Sequence, residues 1–234
     1  MSREQQILDA AAALFYEKGF HGVGVDQIGE RVGISGPALY RHFKGKDEIL
    51  AALFNEALEE LISATAAHYG DPHRDLERLI RHHIDFAINR RHLVSVYERE
   101  RRSVVEPWKG HFQRRQRHYA SRWEEVLARS FPGAPPQHIA AGTQAAIGLI
   151  HSVAHWPPGA RKTPDLTDLL YRLVTHGLAA LEHESVPVGS QGDLNEPAAL
   201  ADAPAIAAGE PFWPREAPPV RRGSRRRGSR NRAD

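Results

Sequence analysis

The apolar positions of this chain recur every three to four residues through most of its length, and nowhere alternate over a useful span. In "REQQILDAAAALFYEKG", Ile7, Ala11, Leu14 and Phe15 fall at i, i+4, i+7 and i+8, one face of a helix that Gly19 ends. "VDQIGERVG" predicts a short second helix with Ile28 and Val32 inward. Ser35 caps a third, "GPALYRHF", whose first turn accepts Pro37 because an amide there has no helical partner. Leu39 and Phe43, four apart, fix it to the first two. "KDEILAALFNEALEELISATAAHYG" then repeats apolar residues at Leu50, Leu53, Phe54, Ala57, Leu58, Leu61 and Ile62. It is long enough to join one bundle to another.

Further helices are predicted at 72–89, 90–104, 106–131, 136–156 and 164–184, separated by "GDP", "EPW", "PGAPP" and "WPPGARKTP". The expected fold is all-α, with a three-helix head at 1–46 and a larger helical body at 47–184. From 185 to 234 the periodicity stops: the stretch is rich in Pro, Gly and Ala and ends "VRRGSRRRGSRNRAD". Too few large apolar residues remain to offset the entropy of ordering, so a disordered tail with a basic end is expected.

Composition narrows the classes. The 234 residues include no cysteine, which excludes disulfides and thiolate chemistry and fits a reducing cytoplasm. No run of eighteen apolar residues is present to span a bilayer, and "MSREQQILDA" lacks the apolar segment of a secretory signal. A net charge of +2 is small, so where the charge sits matters more than its total.

It sits first around the third helix. A helix, a tight turn at Gly33 and a second helix capped by Ser35 make a helix-turn-helix, whose second helix enters the major groove by its N-terminal residues. Gly36 and Ala38 permit close approach, and Ala38 can touch a thymine methyl. Tyr40, Arg41, His42, Lys44 and Lys46 offer donors to phosphates, and Arg41 is also a candidate for guanine. Taken singly, Tyr40 could simply pack and the lysines could be solvated. Together they are specific.

The pieces "FYEKGF" (15–20), "VDQI" (25–28) and "GISGPALYRHFKGKDEIL" (33–50) resemble the signature of TetR-family transcriptional regulators. The resemblance is dense over the first 55 residues or so and architectural beyond them. It implies that Ser35, Gly36, Pro37 and Ala38 approach bases, that Tyr40, His42 and Lys46 bind phosphates, and that Arg41 contributes sequence preference. It implies no catalytic residue, metal or cofactor. One departure stands out: the family often has Thr or Ser before its second helix, where this chain has Val23 and Gly24. Gly is a usable cap without a hydroxyl. Gly29 inside that helix costs about 1 kcal/mol relative to Ala, which points to close helix–helix approach.

The same resemblance implies a homodimer on a palindromic operator, through the last two body helices. "IAAGTQAAIGLIHSVAHW" supplies small residues and "LTDLLYRLVTHGLAAL" a leucine stripe, although both could instead face their own core. It also implies a small-molecule effector between the body helices, whose binding releases the DNA. Candidates to line that pocket are His83, Tyr97, Trp108, Phe112, Tyr119 and Trp123, of which 108, 112, 119 and 123 share one helical stripe. Core packing explains such stripes equally well. "VSVYERERR", a Trp-containing seventh helix and "HWPPGA" look similar to a TetR branch linked to fatty-acid or sterol acyl-CoA metabolism, so an acyl-CoA or other lipid-derived ligand is expected. The arginines of 97–104 and 112–119 suit its phosphates, or else form i,i+4 pairs such as Glu98–Arg102.

His151 and His155 have a chelating i,i+4 spacing but no evident third ligand, and no enzyme fingerprint is present. Two alternatives remain: an architectural DNA-binding protein without an effector, aided by the basic tail, or a helical enzyme with an unrecognised site.

Overall fold

The computed structural model describes residues 2–64 and 70–182. Among these residues the fold is all helix, with no strand. The helices are α1 (Arg3–Lys18), α2 (Val25–Arg31), α3 (Gly36–Leu39), α4 (Lys46–Ala64), α5 (Pro72–Asn89), α6 (Arg91–Glu100), α7 (Trp108–Ser130), α8 (Pro136–Ser152), α9 (Pro158–Arg161) and α10 (Leu166–Leu178). The tail expected at 185–234 lies outside the described residues. No helix among the described residues is long and apolar enough to cross a membrane.

Local chemistry accounts for the head. The Ser2 hydroxyl caps α1 by accepting from the Gln5 amide, and Gly19 ends the helix at φ 75°. α2 starts at Gly24, whose N–H donates to Gln27 Oε1 at 3.2 Å, one half of a capping box made without a hydroxyl. A Cβ on Gly29 would stand 2.8 Å from the Ile34 carbonyl oxygen. The glycine is therefore there because α2 meets the chain entering α3 backbone to backbone.

α3 is shorter than the eight residues expected. Regular α-helix covers only Gly36–Leu39. The chain keeps turning beyond it, but with i→i+3 bonds from the Arg41 amide to the Ala38 carbonyl and from His42 to Leu39. Such bonds tighten the spiral. A longer i→i+4 bond, Phe43 to Leu39 at 3.1 Å, still places Phe43 over the same core as Leu39.

α4 opens with Asp47 and Glu48, acidic residues that suit a helix N-terminus, and Glu48 accepts from the Lys44 amide. Its first turns bury Ile49, Leu50, Ala51, Leu53 and Phe54, because α1 covers one side and the body the other. The core is then continuous from Ile7 to Leu178. In the body α7 lies against α4, α5 and α8, and α10 packs on α5 and α8. Three helix ends differ from expectation. The helices predicted at 90–104, 136–156 and 164–184 each finish in 3-10 turns, Arg101–Ser103, Val153–His155 and Ala179–Glu182. The supposed break "WPPGARKTP" holds the one-turn α9, which Pro158 can start because an N-terminal amide is not needed there.

Candidate nucleic-acid interface and buried cavity

The head presents a polar ridge on an apolar base. Leu39 is fully buried and Phe43 nearly so, while Ser35, Pro37, Tyr40, Arg41, His42 and Lys44 are exposed and Gly36 and Ala38 half-buried. The Ser35 hydroxyl accepts from the Ala38 amide at 3.4 Å. Tyr40, 56% exposed, stands out of the surface with nothing apolar to cover it. His42 Nδ1 lies 3.8 Å from Glu4. Lys46 has a second role: its ammonium donates to the carbonyls of Phe20 (3.1 Å) and Val23 (3.2 Å) and sits 4.7 Å from the centre of the Phe20 ring. It ties the α1–α2 loop to the start of α4.

The body encloses a cavity of about 270 Å³ between α4, α5, α6, α7 and α8. One wall is apolar, with Phe54, Leu58, Leu61, Phe86 and Ile147. At the mouth are the exposed residues Arg101 and Arg117. Beside it, Arg101, Arg102, Lys109 and Gln113 surround a cationic basin of about 340 Å³, which shares Arg101 and Gln116 with the cavity. Small-molecule sites run from about 300 to 1,000 Å³, so the cavity alone fits a small ligand or the apolar part of a larger one.

The opposite wall carries a hydrogen-bonded row. The Tyr119 hydroxyl is 2.9 Å from His83 Nδ1, His83 Nε2 is 3.0 Å from His151 Nε2, and His151 Nδ1 is 2.8 Å from Glu98 Oε1. α7, α5, α8 and α6 supply one member each. Trp123, fully buried, packs edge-on against the His83 ring. The His151 hydrogen bond holds the Glu98 carboxyl below its usual range. Burial lowers His83 well below an ordinary imidazole and raises the Tyr119 phenol. Nearby, Gln116 donates to the Tyr97 hydroxyl, whose pKa burial also raises.

α6 has two working faces. At 100° per residue Leu93, Val94, Tyr97 and Arg101 fall on one side and line the cavity. From the opposite side Arg99 donates to the Phe15 and Tyr16 carbonyls at 3.2 and 3.1 Å, while Glu100, three residues after Tyr97 and so at the edge of the cavity face, accepts from the Phe20 amide at 3.3 Å. His92 stacks on Tyr16 at 4.1 Å. The C-terminal end of α1 is thus gripped by the helix that walls the cavity.

Both halves match known families. Residues 7–53 fit the model of bacterial regulatory proteins of the tetR family, and residues 69–178 that of the tetracyclin repressor-like C-terminal domain. Together they span more than half of the chain. The chain belongs to the TetR family.

Among TetR relatives, the transcriptional activator FasR of Mycolicibacterium smegmatis is 39% identical over 61 residues, 26% of this chain and 28% of that protein. The repressor KstR2 of Mycobacterium tuberculosis is 28% identical over 135 residues, 54% of this chain and 65% of its own length. The matches thus span less than two thirds of these curated relatives. A TetR regulator from Rhodococcus RHA1 superposes with a TM-score of 0.69 at 21% identity, covering 79% of this chain and all of that one. AibR, solved with isovaleryl coenzyme A and operator DNA, gives 0.62 at 19% identity over 77% of this chain and 98% of that one. TetR proteins are transcriptional regulators, so the alternative of an unrecognised helical enzyme falls away.

Of the six residues expected in a TetR-type pocket, His83, Tyr97 and Tyr119 line the cavity. Trp123 and Phe112 pack behind its wall, Phe112 reaching the cationic basin, and Trp108 lies half-buried at the start of α7. The physical reason is length: from Trp108 to Trp123 the stripe runs about 22 Å, more than so small a cavity spans. The sequence missed His151, Gln116 and Gln144 as lining residues, whereas the two mouth arginines, Arg101 and Arg117, fall in the stretches 97–104 and 112–119 expected to face an anionic ligand. His151 does have an acidic neighbour, Glu98, which the i,i+4 rule had assigned to Arg102. Among the described residues no group of three or more His, Cys, Asp or Glu side chains is placed to hold a metal.

Proposed function

We propose that this chain is a homodimeric repressor that binds a palindromic operator through α3 and the turns after it, and releases it when a small molecule fills the body cavity. The observation that carries the DNA half is the exposed ridge from Ser35 to Lys44 on a buried Leu39–Phe43 base. Ser35 to Ala38 meet base edges. Tyr40, His42, Lys44 and Lys46 hold phosphates, and Arg41 supplies preference.

Two heads reading half-sites about 34–36 Å apart, or a multiple of it, need a dimer. The outer face of α8 and α10 suits one: Leu173 is 45% exposed there, beside a shallow groove lined by Ala141, Gly142, Ala145 and Gly177. The effector half rests on the cavity, which argues against an architectural protein without a ligand. An apolar chamber opening on Arg101, Arg102 and Lys109 fits an acyl thioester, with its phosphates in the basin. That AibR was solved with an acyl coenzyme A supports this class. Ligand entry displaces α6, and Arg99 and Glu100 pass the shift to α1.

The test is a gel shift or anisotropy titration with operator-sized duplexes from the neighbourhood of the gene. A repressor of this kind prefers one sequence by about 10³-fold or more over unrelated DNA. Equal binding to all duplexes contradicts it. Acyl-CoA esters are then screened for release of the bound duplex.

A further inference from the structure

The Tyr119–His83–His151–Glu98 row can hold its protons in one direction. Glu98 is ionised, so the proton between it and His151 belongs to His151 Nδ1. The 3.0 Å contact holds a single proton between the two Nε2 atoms; with it on His83, the Nε2 of His151 accepts, and because burial disfavours a charge on His83 its Nδ1 accepts too, from the Tyr119 hydroxyl. In that resting arrangement every proton of the row points from Tyr119 towards Glu98. Although three of its members line the cavity, none has a donor left for a ligand.

We infer that this row receives the carboxylate of an otherwise apolar ligand, and that each carboxylate enters with one proton taken up by the His83–His151 pair. The inference rests on the effector reading above and names the group that the inner end of the cavity recognises. For Tyr119 to donate to a ligand oxygen, its hydroxyl must turn away from His83 and leave Nδ1 buried and unpaired. A proton on that nitrogen removes the penalty: His83 Nδ1–H then donates to the Tyr119 oxygen, and the phenol proton goes to the ligand. The two Nε2 atoms still share a single proton, so the pair holds three in all and one positive charge.

Charge balance selects the ligand. Among the described residues, the other titratable or charged groups facing the row are His82 from α5, Tyr97 and Arg101 from the α6 segment, Arg117 from α7 and His155 beyond α8, and none of these is acidic. Glu98 is thus the row's single negative charge. A carboxylate entering with a proton leaves the row and its ligand with one negative charge in total, whereas a carboxylate alone doubles it. A carboxylate held instead by Arg101 or Arg117 at the mouth needs no proton. The carboxylate can be that of a free acid or the distal one of a dicarboxylic acyl thioester.

The experiment is isothermal titration calorimetry of the full chain at pH 7 to 8 in buffers of differing ionisation heat, with octanoate, octanedioyl-CoA and octanoyl-CoA as probes. The expected result is uptake of about one proton per octanoate or octanedioyl-CoA, and an affinity that rises about tenfold per unit fall in pH. Octanoate alone responding assigns a free acid; octanedioyl-CoA alone responding assigns the thioester. Octanoyl-CoA has no free carboxylate and should show no uptake. Tyr119→Phe, checked for folding by thermal melting, removes the hydroxyl that donates to the ligand and should weaken octanoate binding about tenfold. The inference is overturned if neither carboxylate probe binds, if they bind with no uptake, or if octanoyl-CoA takes up an equal proton. Operator binding measured on the same preparation stands apart: intact, specific DNA binding with no carboxylate response removes this inference and leaves the repressor reading in place.

Discussion

The head and the body treat polar side chains in opposite ways. The head keeps its interior apolar around Ile7, Phe15, Ile28 and Leu39 and turns Tyr40, Arg41, His42 and Lys44 out to the solvent. The body buries His83 and Tyr119 and lines an enclosed space with them. An exposed polar residue costs almost nothing until a partner arrives. A buried one must have its hydrogen bonds made in the resting protein, which ties its protonation to its neighbours. The head is therefore a surface that waits for charge, and the body a network that already holds one.

The strongest way to break this contrast is to remove the head's base. Leu39→Ala should cost about 2–5 kcal/mol, read as a lower denaturation midpoint, with loss of DNA binding. An unchanged midpoint would mean that α3 is not anchored as described. Next comes the pair of lysines. Lys46→Met removes two charged hydrogen bonds to Phe20 and Val23, so a loss of about 1.5–3 kcal/mol is expected. Lys44→Met should leave stability within about 0.5 kcal/mol while weakening DNA binding and flattening its salt dependence. Equal stability losses would erase the distinction between a carbonyl-bound and a solvated cation.

A smaller effect tests the body. His83 has its folded pKa pushed down by burial, so below about pH 6.5 the unfolded chain binds more protons than the folded one. Its contribution is present above that pH and is lost as pH falls towards the folded value, by up to about 1.4 kcal/mol per unit. Glu98, also lowered, adds a loss at more acid pH. Urea midpoints at pH 7.5 and 5 check this, and the slope should flatten in His83→Gln. The smallest change is Tyr40→Phe, which keeps the exposed ring and removes the hydroxyl. DNA affinity should drop about fivefold, roughly 1 kcal/mol, with stability unaltered.

The two regions also differ in how far their sequences announce them. In the head most of the ridge stands within a few residues of what positions it, so spacing placed the ridge, the Ser35 cap and the reason for Gly29, but not the hold of Phe20 and Val23 on Lys46. What spacing could not give was the end of α3, where i→i+3 bonds replace i→i+4. In the body the partners are distant: Tyr119 and His83 are 36 residues apart, His83 and His151 are 68, and His151 and Glu98 are 53. Helical periodicity says which face a residue takes, not what meets that face. The aromatic stripe of α7 was therefore visible while its division into cavity wall and backing was not. Of the hydrogen-bonded row, His83, a polar residue on an apolar face, and Tyr119 were marked in advance, while His151 and Glu98 were not.

The two-sidedness of α6 bears on how such a protein changes over time. On the proposed reading, Val94 and Tyr97 can vary to suit a new ligand without disturbing Arg99, which holds α1 from the opposite side of the helix. A descendant, or an engineer building a biosensor, can then retarget the chamber on one face and keep the Arg99 grip on α1 intact.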